Sequence, residues 1–117
     1  MIKAIGTAYR RDNFTPEEFI QYWMEVHAPI SAKAPGLRGY VVSEVVRKIQ
    51  GELHTEAFVE QWYDDEEAFN AAGESPEVKA AWEDVPRYAK TTGSFWLVKE
   101  HVIVPPPPRG PGHLGDK

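Results

Sequence analysis

Two stretches of this chain are apolar on both sides of a strand, and they limit what the chain can become. Tyr40-Val41-Val42-Ser43-Glu44-Val45-Val46 and Phe95-Trp96-Leu97-Val98 carry large apolar side chains at odd and even positions alike. Successive strand residues point to opposite faces, so a strand with one wet face alternates. These two do not. The chain has 117 residues, which is one domain with one core. Its helical segments suffice to cover one face of a sheet and leave nothing for the other. A bare apolar face of that size pairs or aggregates. A homodimer packed sheet against sheet on a twofold axis is the economical solution; cover by long polar side chains and the tail is the alternative.

The order of elements agrees with a sheet of this kind. Residues 2 to 9 are rich in Ile, Ala, Thr and Tyr and read as a first strand. Thr15 caps the helix that follows, Pro16 suits its first position, and Glu18 closes a capping box. Phe14 and Phe19 stand at the staple positions around that cap. Phe19, Trp23, Val26 and Ile30 make one apolar stripe. Pro29 predicts a kink, because it lacks an N–H and crowds the carbonyl of Glu25. Ala34-Pro35-Gly36 ends the helix. Strands are expected at about 37 to 47 and 55 to 63. Asp64 and Glu67 are expected to cap a short helix that Gly73 stops. Ser75-Pro76-Glu77 starts another, with Val78, Trp82, Val85 and Ala89 on one stripe, and Pro86 breaks it. A last strand is expected at about 94 to 104. The order βαββαβ predicts an α+β fold, a ferredoxin-like sandwich of helices on one antiparallel sheet.

Composition removes several functions. The net charge of −5 repels phosphate backbones and argues against a nucleic-acid partner. There are no cysteines, hence no disulfide, thiolate nucleophile or Cys-based metal site. No apolar run approaches the roughly 18 residues of a membrane span, and the first residues lack a signal-peptide layout. A cytoplasmic protein without membrane contact is expected. Residues 2 to 104 read as the folded domain. Residues 105 to 117, which begin with four prolines, read as an extended or disordered tail. Gly110-x-Gly112-x-x-Gly115 matches a dinucleotide fingerprint only on paper, because a strand must precede it and a helix must follow.

His27 is the candidate for chemistry. It falls at the edge of the apolar stripe, one turn after Trp23. Such a ring lies where helix meets sheet, partly buried among aromatics, a setting suited to a general acid or base. A structural histidine bonded to a carbonyl satisfies the same spacing. Tyr9, at the end of the first strand, offers a phenol hydroxyl to a substrate carbonyl. Trp23, Trp62, Phe95 and Trp96 are candidate apolar walls for a ring-shaped ligand. Arg10 or Arg11 has the chemistry to meet a carboxylate. His54, His101 and His113 fall in no pattern, the spacings of the histidines match no metal motif, and no HExxH or Cys cluster exists. No cofactor or metal is expected.

A family resemblance adds to this. Tyr9-Arg10-Arg11, Phe14-Thr15-Pro16-Glu17-Glu18-Phe19, Tyr22-Trp23, His27-Ala28-Pro29, Pro35-Gly36-Leu37 and Tyr40 resemble the EthD family. Glu60-Gln61-Trp62-Tyr63-Asp64-Asp65 and Ser75-Pro76-Glu77-Val78 are similar to that family's second half. The resemblance spans about residues 2 to 104. It implies the dimeric α+β barrel superfamily, two ferredoxin-like protomers with their sheets together. It also implies a pocket between sheet and helices that works without metal or organic cofactor, with His27 as acid or base. Relatives implied by it include muconolactone-type isomerases and polyketide cyclases or dehydratases. The leading expectation is thus a cofactor-independent enzyme that isomerises, cyclises or dehydrates a small cyclic or polyketide-like carbonyl compound. A cofactor-free monooxygenase of phenolic substrates and a non-catalytic small-molecule-binding or accessory protein are the alternatives.

Overall fold

Thr15 starts the first helix in the way its chemistry requires. In the computed structural model, which describes residues 1–114, its hydroxyl accepts from the Glu18 N–H at 3.1 Å, and the Glu18 carboxylate accepts from the Thr15 N–H at 2.8 Å. The helix α1 (Pro16–Tyr22) then opens into a π-helical turn (Trp23–His27) and closes as α2 (Ala28–Ser31). The Ala28 N–H reaches back five residues to the Trp23 carbonyl. The expected kink at Pro29 therefore appears as a wide turn placed just before it. Proline removes one donor and crowds the carbonyl four residues earlier, and a π turn relieves both.

This turn also corrects the apolar stripe. A π turn advances fewer degrees per residue than an α turn, so Val26 swings out and stands 41% exposed. His27 takes the inward place and is 6% exposed. It belongs to the buried face and not to its edge.

Strands β1 (Ile2–Ala8), β2 (Gly39–Glu44), β3 (Ala57–Tyr63) and β4 (Phe95–Val98) form one antiparallel sheet in the order β2-β3-β1-β4. Helices α3 (Glu66–Gly73) and α4 (Pro76–Asp84) follow β3, and a 3₁₀ turn (Val85–Arg87) succeeds α4 where Pro86 breaks it. The fold is the α+β, ferredoxin-like βαββαβ sandwich. Asp65, not Asp64, caps α3 through a 2.8 Å bond from the Ala68 N–H. Asp64 pairs instead with Arg38. Ser75 caps α4.

Two strands are shorter than expected. β4 stops at Val98, which pairs with Lys3. β2 stops at Glu44, and Val46 is 95% exposed beyond it.

The core lies on one face of the sheet, where Phe19, Trp23 and Tyr88 pack on Ala57 and Val59. The register places Ala4, Gly6, Tyr40, Gln61, Tyr63, Phe95 and Leu97 on that same face. The opposite face presents Ile5, Val41, Phe58, Trp62, Trp96 and Val98, and no helix or strand among the described residues lies over it. From Pro105 the described tail forms neither helix nor strand. Gly110 and Gly112 lie in it, and Gly115 lies outside the described residues. Among the described residues, no helix is long and apolar enough to cross a membrane.

Candidate functional site

A cavity of about 340 Å³ lies between the core face of the sheet and the helices. Its walls are mostly apolar: Val59, Phe69, Ala81, Trp82, Val85 and Phe95 among them. Polar groups converge from His27 and Ser31 on the helix and from Tyr40 and Gln61 on adjacent strands. An apolar chamber with a few convergent polar groups is the form of a small-molecule site.

His27 is held on two sides. Its Nδ1 lies 2.9 Å from Asp84 Oδ2, and Asp84 is 3% exposed at the end of α4. A carboxylate acceptor keeps the imidazole proton on Nδ1 and leaves Nε2 with its lone pair. Nε2 has no hydrogen-bond partner among the described residues, and the residue lines the cavity. The second Asp84 oxygen accepts from the Tyr22 hydroxyl at 2.9 Å, and Arg87 approaches that oxygen to 3.8 Å. Aromatic rings complete the enclosure: Tyr88 at 5.0 Å and Trp23 at 6.2 Å between ring centroids. Burial lowers the His27 pKa below its ordinary 6.5, opposed by the bond to Asp84 and its charge. The neutral imidazole is the resting form at neutral pH.

A second polar chain starts at Trp23. Its indole N–H donates to the Tyr40 hydroxyl at 2.9 Å. Ser31 Oγ lies 2.8 Å from that hydroxyl and 3.1 Å from the His27 carbonyl. One serine proton serves one of these at a time. Burial raises the Tyr40 pKa above 10.0 against the opposing bonds from Ser31 and Trp23, so this phenol keeps its proton. Burial raises Tyr88 and Tyr63 likewise.

The sequence candidates divide between the two faces. His27, Trp23 and Phe95 line the cavity together. Trp62 and Trp96 do not. Each alternates with a cavity-facing neighbour, Gln61 or Tyr63 in β3 and Phe95 in β4, and a period of two sends them to the open face. There the Trp62 indole donates to Glu100 at 2.8 Å, and Trp96 is 55% exposed. Tyr9 is not among the cavity residues; it lies just past β1, and its carbonyl accepts from the Lys90 N–H. Arg10 and Arg11 brace loops through the carbonyls of Phe14 and Pro86. His54 is exposed beside Glu56, and His101 and His113 stand exposed beyond β4. No three His, Asp or Glu side chains gather as metal ligands among the described residues.

Asp84, Tyr40, Ser31 and Gln61 were absent from the sequence candidates. Asp84 left no trace in the sequence: the stripe expected there was Val78, Trp82, Val85 and Ala89, whereas Ala81, Asp84 and Tyr88 are buried and Trp82 stands 56% exposed. A carboxylate needs a partner when buried.

Similarity to known proteins agrees with this geometry. The model of the EthD domain matches residues 11–92. An EthD family protein from Bacillus halodurans is 27% identical over 86% of this chain and 100% of its own, with a TM-score of 0.73. A dimeric ferredoxin-like protein from Thermobifida fusca superposes with a TM-score of 0.65 at 18% identity, over 83% of this chain and 88% of its own. SnoaB, a cofactor-independent oxygenase from Streptomyces nogalater, superposes with a TM-score of 0.63 at 16% identity, over 90% and 97%. No curated protein matches the chain. With its model spanning more than two thirds of the sequence and the helix histidine set at a cavity between sheet and helices, the chain belongs to the EthD family.

Proposed function

We propose that this protein is a cofactor-independent enzyme that isomerises, cyclises or dehydrates a small cyclic or polyketide-like carbonyl compound. The observation that carries the reading is the buried His27–Asp84 pair, which leaves Nε2 without a partner among the described residues on a side chain that lines the cavity. Nε2 takes a proton from the carbon next to a substrate carbonyl and gives an enolate and an imidazolium. Asp84 holds the ring orientation and stabilises the imidazolium. The proton then returns to another carbon, which isomerises the substrate, or to a departing hydroxide, which dehydrates it. In the cyclising variant the enolate carbon attacks a second carbonyl of the same molecule, and the new alkoxide takes the proton.

The family and the ferredoxin-like neighbours support small-molecule chemistry at this fold without naming the reaction. Similarity to SnoaB favours oxygenation of a phenolic substrate as the second reading. Oxygen consumption separates the two, because an isomerase or dehydratase uses none. The protomers pair through the open sheet face in this reading, with residues 2 to 104 as the folded domain and the remainder as a tail. Dimeric relatives of the same fold support the pairing.

The test compares wild type with His27→Ala on lactones, phenols and short polyketides by mass spectrometry. A product formed by wild type and lost in His27→Ala is expected, without uptake of oxygen. Equal turnover by both sinks the mechanism. Binding without conversion by either leaves a carrier or accessory protein.

A further inference from the structure

The His27 mechanism leaves a negative oxygen to be stabilised, and the cavity floor holds groups that its proton transfer does not use. Tyr40 of β2 and Gln61 of β3 are paired across the sheet on the core face, where opposite side chains stand about 5 Å apart. Both line the cavity. The Tyr40 oxygen already receives the Trp23 indole proton at 2.9 Å, and Ser31 Oγ lies 2.8 Å away. When Ser31 donates to it, both acceptor positions of the phenol are occupied. Its own proton is then free to point into the chamber. Hydrogen bonds received by a hydroxyl oxygen strengthen the bond that hydroxyl donates. The Gln61 amide has no partner among the described residues, so its N–H groups are available beside Tyr40. Much of the remaining wall is apolar and suits a ring, with His27, Ser31, Thr7, Lys90, Thr91 and Ser94 as its other polar members.

We propose that Tyr40 and Gln61 form an oxyanion subsite that binds the enolate or phenolate oxygen of a ring-shaped ligand, with Trp23 and Ser31 positioning the Tyr40 hydroxyl. The subsite rests on the proton-transfer reading of His27 for its catalytic use, but its affinity for an oxyanion does not. Donors aimed in advance at the place where charge develops stabilise that charge more than water, which must reorganise, does.

The probe is 4-nitrophenol, whose phenolate has its own visible absorption band. Titration of wild type, Tyr40→Phe and Gln61→Leu across pH gives both affinity and the ionisation of the bound probe. Wild type is expected to bind the phenolate in preference to the phenol and to lower the bound probe's ionisation midpoint. Tyr40→Phe is expected to weaken phenolate binding by roughly tenfold or more, the scale of a bond to a charged acceptor, and to return the midpoint toward that of free probe. Gln61→Leu is expected to do the same to a smaller extent. Neutral nitrobenzene, which carries no oxyanion, is expected to bind all three alike, which separates loss of the subsite from loss of the cavity. Wild-type phenolate affinity in both variants overturns the subsite, as does a wild type that takes up no phenolate. Neither result bears on the His27 reading, which stands or falls on turnover by His27→Ala.

Discussion

The protonation of His27 is decided by two neighbours of opposite effect. Burial disfavours the imidazolium, and Asp84 favours it; burial wins, so the folded pKa lies below 6.5. If Nε2 is the base, activity is full at neutral pH and falls only when acid reaches that lowered value, which a pH–rate profile of kcat/KM reads directly. Stability follows the same sign. The unfolded chain binds this proton more readily than the folded one, so ∂ΔG/∂pH is positive here. The contribution is complete above 6.5 and is lost as pH falls through the folded value. Urea midpoints across the acid range of wild type and His27→Gln are expected to converge at low pH. Asp84→Asn keeps the shape, loses the charge and allows the wrong tautomer. We expect kcat/KM to fall by about 10²-fold or more with the acid limb moved to lower pH. A limb that stays in place means Asp84 does not act on the ring.

Elements deliver these residues through backbone constraints that are individually testable. The Thr15–Glu18 capping box fixes where α1 begins, and thereby the phase of Trp23 and His27. Thr15→Ala is expected to cost about 1 kcal/mol and to lower Tm by roughly 4 °C, with little effect on ligand affinity. Gly93 is a different kind of constraint. A Cβ there meets the Thr7 carbonyl oxygen at 2.5 Å, closer than non-bonded atoms approach, and both residues border the cavity. Gly93→Ala is expected to push β1 from the segment before β4, at about 1–3 kcal/mol, and to weaken binding in the cavity. Calorimetry and ligand titration read the two effects. An unchanged Tm contradicts the close approach.

At the scale of the molecule, the open sheet face is the dominant unsatisfied feature. Phe58 and Trp96 stand 40% and 55% exposed on it, beside Ile5 and Val41, and no helix among the described residues covers them. Sedimentation velocity is expected to show a dimer for wild type and a monomer for Trp96→Asp or Phe58→Asp. A monomeric wild type at micromolar concentration removes the sheet-to-sheet pairing. The cavity lies on the other side of the same sheet, so loss of the dimer is expected to act on activity through the stability of the strands and not through the lining.

Much of this architecture was legible in the sequence because it rests on local rules. A threonine cap, a proline at the first turn and apolar residues at helical spacing specify α1 whatever surrounds it. Strands apolar on both faces announced a sheet with a second apolar face that no helix among the described residues covers. His27 stood out because a titratable ring followed a tryptophan on such a stripe. What the sequence left open required knowledge of which distant residues meet. Asp84 is 57 residues from His27 along the chain, and only packing of α4 against α2 brings the carboxylate to Nδ1. The π turn that carries His27 inward and Val26 outward depends on how the helix accommodates Pro29 against the sheet. The faces of Trp62 and Trp96 follow from strand register, which local composition does not specify. Caps and periodicity are set by neighbours in the chain, whereas a buried charge, a cavity and the side of a sheet are set by neighbours in space.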